Sequence, residues 1–451
     1  MNWKKALVVA PMSAAILFSA NGGLVNAETM EKPTVSNAAV DLRANLGSLL
    51  SEHGNLAIIA MRKGIEGAED FEAAKAQLNE NTHALADAIA SVYGEKAGKA
   101  FYDMWHAHVG YFVAYVQGTA KEDEEAKQAA LDELSQYRKD FSAFLDKATE
   151  GRVEADALAE GLQTHVNQLI SAFDAYVAGD YKEAFSNQAD ARAHLYMTAK
   201  GLSSAITAQF PEKFDNKMAV TPAADLRLTL NNILSGHVAF AVTAMQNGIE
   251  GEKSMDIFKA NAEQLAKNTD KLSAAIGSVY GDEAAAKFKE MWSNHIGYFV
   301  DYVKATAAED DAAKQEALDQ LKQYREDFSA FMETATEGNI KADAVSEELQ
   351  DHVNQLIASF DAYAAGDYEK AYNKFHEGYA YANDISKALS GAIVAQYPDK
   401  FASDMPSEMP KTGFAPADNN NDMMMLWILG ASALALAVFV AIRKYQSSEE
   451  K

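Results

Sequence analysis

No cysteine occurs anywhere in the 451 residues. Disulfides, thiolate zinc sites, iron–sulfur clusters and cysteine catalysis are thereby excluded, and any transition metal must be held by His, Met, Asp, Glu or Tyr. Proline is scarce as well, 8 in all. Pro211 and Pro222 punctuate the middle of the chain and Pro398, Pro406 and Pro410 its exit, leaving long stretches uninterrupted. Positive charge is the minority sign: 40 basic against 65 acidic side chains give a net charge of −25. Phosphate would be repelled, which argues against nucleic acid as a partner. No H-E-x-x-H, G-x-S-x-G or glycine-rich phosphate loop is present. No E-x-x-H pair repeats as a di-iron carboxylate site would need.

What the chain does contain is written twice. DLRANLGSLLSEHGNLAIIAMRKGIEG, from Asp41, returns as DLRLTLNNILSGHVAFAVTAMQNGIEG, from Asp225. The stretch Met104–Val116 returns as Met291–Val303, and HVNQLISAFDAYVAGDY, from His165, returns from His352. The offset is 184 residues at first (237 − 53) and 187 later (295 − 108 and 352 − 165). A three-residue insertion near Glu252–Ser254 accounts for the change. A period this long makes each copy a candidate domain rather than a solenoid unit, here residues 36–215 and 220–402.

Hydrophobic content of 48% is enough for real cores. Within a copy the pattern is helical throughout, rich in Ala, Leu, Glu, Lys and Gln, with turn signals at Gly64, Gly94, Gly118, Gly151 and Gly179. Six helices are expected in the first copy, at about 41–63, 69–92, 96–118, 122–149, 154–178 and 181–208. They pair as three antiparallel hairpins. The fold class is therefore all-α, two tandem homologous helical-bundle domains.

The first helix of each hairpin carries a histidine found in both copies: His53, His108 and His165, matched by His237, His295 and His352. All sit on apolar stripes. Phe101, Trp105, His108, Phe112 and Tyr115 share one helical face. His83, His106, His194 and His376 have no histidine counterpart. If the hairpins share an axis, each set of three imidazoles can meet there and hold zinc or copper. A fourth position would fall to water, Met61 or Met245, or a carboxylate. Glu66 and Glu250, in the repeated GIEG turn, are candidate additions. The alternative is a packing role, each ring donating to a helix carbonyl or to a neighbour such as Asn167, Gln168, Asn354 or Gln355.

The ends carry their own signals. Lys4 and Lys5 precede an apolar run from Ala6 to Ala20, and Val25-Asn26-Ala27 offers a cleavage site, so residues 1–27 read as a secretory signal peptide. Residues 403–422 form a linker containing Met409-Pro410-Lys411-Thr412-Gly413. An apolar segment at 423–442 is long enough to span a bilayer, and a tail at 443–451 opens with Arg443 and Lys444. This end resembles the LPXTG-type cell-wall sorting signal of Gram-positive surface proteins, with Met409 where that family usually has Leu. The resemblance implies that a sortase cuts between Thr412 and Gly413 and joins Thr412 to peptidoglycan. The protein would then pass through the membrane during sorting and finish on the cell wall.

The repeats also resemble helical repeats of secreted Bacillus-type proteins that carry a copper amine oxidase label. That resemblance places copper beside zinc and nothing more, since copper amine oxidases are largely β-structured and use a quinone made from tyrosine. Three functions stay open: metal capture or buffering at the cell surface, a structural or adhesion module with an unidentified surface ligand, and chemistry at a metal with an open position.

Overall fold

The computed structural model describes residues 32–402. The expected signal peptide, the linker with Met409–Gly413, the apolar segment 423–442 and the tail lie outside these residues. The described residues form an all-α fold without strands. The first copy comprises α1 (Ala38–Glu66), α2 (Phe71–Tyr93), α3 (Glu95–Ala120), α4 (Glu124–Ala148), α5 (Ala155–Val177) and α6 (Tyr181–Gln209). The second comprises α7 (Pro222–Ile249), α8 (Met255–Tyr280), α9 (Asp282–Ala307), α10 (Asp311–Ala335), α11 (Ala342–Ala364) and α12 (Tyr368–Gln396). Every first-copy end lies within about one turn of its expected place.

The same local chemistry sets the ends in both copies. Asp123 and Asp310 cap α4 and α10 by accepting from the backbone N–H of Ala126 and Ala313. Asp180 and Asp367 do the same for α6 and α12. Asn37 caps α1, and Thr221 with Pro222 opens α7. Gly94 and Gly281, both at φ 87°, let the chain reverse between α2 and α3 and between α8 and α9. The three inserted residues are taken up by a 3-10 turn, Gly251–Ser254, that leads directly into α8.

Sequential helices pack against each other, and α6 returns to α1 to close a ring. α3 and α5 also reach α1, so the three odd-numbered helices surround one point. The second copy repeats this with α7, α9 and α11. α1 and α7 are the hubs. Every residue from Leu50 to Lys63 is buried, and every residue from Ile233 to Asn247. A helix covered on all faces is a core helix, and the second covering face comes from the other copy. α7 is also the one helix among the described residues long and apolar enough to cross a membrane.

Both copies lie in one compact unit, and an apolar cluster runs through them from Leu56 and Phe173 to Phe240 and Phe360. Their contact is reciprocal. Arg43 pairs with Asp225 at 2.6 Å and Arg227 with the equivalent Asp41 at 2.5 Å. The same arginines donate to the equivalent carbonyls of Ala219, at 3.2 Å, and Val35, at 2.9 Å. α6 meets α8 as α12 meets α2. An approximate two-fold axis therefore relates the copies, as in an isologous dimer.

The axis itself is asymmetric. Arg192 of α6 donates to Ser235 Oγ at 2.7 Å and to Tyr379 Oη at 3.3 Å, while Tyr379 donates to Ser51 at 2.8 Å. Gly236 makes room for Arg192: a Cβ there would lie 2.4 Å from its Nη1. The residue equivalent to Gly236 is Glu52, whose buried carboxylate accepts from Asn81 at 3.0 Å and meets His376 Nδ1 at 2.7 Å. His376 thus has no histidine counterpart because its partner has none either.

Candidate metal centre

The three repeated histidines of each copy converge. In the first, His53 on α1, His108 on α3 and His165 on α5 bring one ring nitrogen each within 4.8 Å of the others. His237, His295 and His352 do the same in the second. The apolar faces predicted from periodicity are what bring them there. Phe101, Trp105, Phe112 and Tyr115 turn α3 toward the core, and His108 rides on that face. All six rings are buried, none more than 6% exposed.

Aromatic rings wall the centres identically. Trp105 lies 4.8 Å from His53, and Trp292 4.9 Å from His237. Tyr137 stacks on His108 at 4.7 Å, and Tyr324 on His295 at 4.8 Å. His53 and His108 face each other with their Nε2 atoms 3.4 Å apart, and the Trp105 indole N–H points at His53 Nδ1 from 3.4 Å.

Burial in an apolar cage disfavours the imidazolium form. It brings His108, His165 and His295 down to about 3 and His352 to about 4. His53 and His237, each facing two further histidines, are also held well below the usual range. Neutral imidazole is the form that ligates a metal.

Packing alone leaves these rings unpaid. Both nitrogens of His165, His237 and His352 lack a hydrogen-bond partner within the protein. Asn167 and Asn354, expected as possible partners, instead bond Gln163 and Gln350 at the surface. The Oε1 atoms of Gln168 and Gln355 are themselves unpartnered. Each orphaned buried polar group costs about 1–3 kcal/mol. A cation shared by each triad would engage the ring nitrogens. Metal–nitrogen bonds of about 2.0–2.1 Å place ligand nitrogens roughly 3.4 Å apart, so closure from 4.8 Å requires a contraction of up to about 1.4 Å at the widest pair.

Glu66 and Glu250 do not join the histidines. Glu66 accepts from the Tyr176 hydroxyl. Glu250 meets Lys63 at 3.0 Å, Tyr363 Oη at 2.7 Å and Ser254 Oγ at 2.6 Å. Burial alone would raise the Glu250 carboxyl, but Lys63 and these donors outweigh it and bring it down to about 2. Glu250 thereby forms part of the contact between copies, together with Asp70, which lies 3.4 Å from Lys63 and accepts from Tyr372.

The unrepeated histidines lie elsewhere. His83 and His106 stack on Tyr102, and His194 Nε2 lies 2.9 Å from the Gly161 carbonyl. Met61, considered above as a fourth ligand, stands two turns beyond His53 on α1. It lines a cavity of about 200 Å³ between α1, α2 and α3 that reaches His53.

Comparison with protein-family models, with characterised proteins and with solved structures returns no match. The class follows from fold and site alone: an all-helical bundle of two fused copies, each with a buried three-histidine cluster that could hold a metal ion.

Proposed function

We propose that this is a transition-metal-binding protein of the bacterial surface, with one copper or zinc ion held by His53, His108 and His165 and a second by His237, His295 and His352. The observation that carries the reading is the convergence of three buried, neutral imidazoles, made twice in one chain, with His165, His237 and His352 lacking any hydrogen-bond partner within the protein. Their enclosure favours holding an ion over turning over a substrate, so capture or buffering is preferred to catalysis. A purely structural or adhesive module would have no use for six buried nitrogens without partners.

The surface location rests on the ends of the sequence. Lys4 to Ala27 supports export, and Met409–Gly413 with the apolar segment 423–442 supports sortase attachment to peptidoglycan. Two centres would then stand outside the membrane on a wall-bound, strongly acidic protein, where cations concentrate.

The test is a thermal melt of the full chain, stripped by chelator and then given copper or zinc. A ligand that binds only the native state stabilises it by mass action, about 2.7 kcal/mol at a hundredfold excess over Kd. His108→Gln, similar in size, should abolish the first copy's share of the shift, and His295→Gln the second's. His83→Gln should leave the whole shift in place. A shift that survives both triad replacements would assign the ion to another site.

A further inference from the structure

The two centres have a composition that discriminates between ions. Each offers three histidines and no carboxylate among its potential ligands. The nearest candidates by sequence, Glu66 and Glu250, are committed to Tyr176, Lys63 and Tyr363. The rings closest to the histidines are those of Trp105, Phe112 and Tyr137 in one copy and Trp292, Phe299 and Tyr324 in the other. The donor set and the rings that wall it are therefore uncharged, and the carboxylate of the adjacent Glu52 is engaged by Asn81 and His376.

We propose that each centre takes copper as the monovalent ion, Cu(I), in preference to Cu(II) or Zn(II). This rests on the triads being metal sites, as argued above. The desolvation cost of an ion grows with the square of its charge, so a dication in the same hole faces about four times the penalty of a monocation. With no anion among the ligands, that difference goes uncompensated. Zn(II) also seeks a fourth ligand, commonly water, which needs polar partners of its own. Cu(I) accepts three neutral donors and a dry site.

The approach to the first centre agrees with this choice. The cavity that reaches His53 is lined by Ala57, Ala60, Met61, Phe112 and Gln117 among others, and Gln117 is its only polar side chain besides His53. A hydrated dication finds nothing there with which to exchange its waters. The Met61 thioether is a soft donor suited to Cu(I). It stands two turns beyond His53 on α1, and its equivalent Met245 is likewise buried two turns beyond His237. Met61 would serve as a soft way-station in this cavity, on the route by which Cu(I) would reach His53.

The experiment is an anoxic titration of the stripped full chain with Cu(I) against a chromophoric Cu(I) chelator, with Zn(II) and Cu(II) titrated in parallel. Two Cu(I) per chain are expected, bound at least about tenfold more tightly than either dication. In Met61→Leu, a volume-conserving change, half of the Cu(I) should load at least about tenfold more slowly, with stoichiometry and final affinity unchanged. The second copy serves as the internal control, and a packing defect would lower affinity rather than rate. If Zn(II) or Cu(II) fills both triads as tightly as Cu(I), the preference is wrong while the metal reading stands. Uniform fast loading of Met61→Leu refutes the transfer role. If no ion binds, the metal reading falls and this inference with it.

Discussion

Stripped of metal, the protein should lose its helical signal as the pH is lowered from about 6.5 toward 4. Six histidines are held neutral by burial, with His108, His165 and His295 at about 3 and His352 at about 4 against an ordinary value of 6.5. His53 and His237 are lowered in the same direction. The unfolded chain accepts protons in this window and the folded one refuses them, so stability falls as pH falls. Their contribution is complete above the unfolded value. It is lost below it, by on the order of 1 kcal/mol per pH unit for each ring. Six rings acting together exhaust a stability of about 10 kcal/mol within roughly two units. His376 opposes them: its hydrogen bond to Glu52 raises its value, so its contribution is present at low pH and lost as pH rises. One exposed-side pair does not offset six buried rings. Circular dichroism along a pH series measures this. Bound metal should move the transition to lower pH, because protons must then displace it. A metal-free protein that stays folded to pH 4 would contradict the buried, neutral state of the triads.

The second large effect concerns separation of the copies. A chain cut between residues 215 and 220, with the pieces expressed singly, should give halves that self-associate instead of folding as stable monomers. The length of the repeat favours independent domains. The packing argues the other way. α1 and α7 are buried on all faces through their middle and pack against each other, and Arg43, Lys63, Asp70 and Arg192 are buried beside partners or walls from the other copy. Removing one side of a buried charge pair is costly, about 3–5 kcal/mol for each. Mixed or co-expressed, the halves should recover a 1:1 complex with the cooperative melt of the intact chain. The reciprocal Arg43–Asp225 and Arg227–Asp41 pairs also let a lone half use its surface on a second copy of itself. Sedimentation of each half decides the matter. Two monomers that each melt cooperatively would show that a copy closes its own core.

These two predictions mark where the sequence could be read and where it could not. Helix positions were legible because Gly94, Asp123, Gly179 and their counterparts act locally, through φ and capping. The triads were legible because the chain holds its own comparison, three histidines kept in both copies against four that were not. What periodicity could not reveal was which element faces which. LAIIAM and AFAVTAM are apolar runs, and their continuity signals a helix covered on all sides, but not what covers it. The DLR motif at Asp41 and Asp225 held the signal for the reciprocal ion pairs. Its pairing across copies is a fact of the fold. Glu66 and Glu250 were plausible ligands by residue type, yet they lie at the far end of the helices that bear His53 and His237, where the other copy supplies Lys63 to Glu250 and Tyr363 of its own copy adds a hydroxyl. Glu52 and His376 could be matched only in three dimensions, because each stands opposite a residue of a different kind in the other copy.

The most direct test of the two-centre account is metal analysis of the full chain after loading and exhaustive dialysis. Two ions per chain are expected, falling to one when His53, His108 and His165 are all changed to Gln, with the remaining ion lost on the same change at His237, His295 and His352. Loaded protein that retains no stoichiometric metal, or a metal content that ignores both sets of replacements, would contradict it.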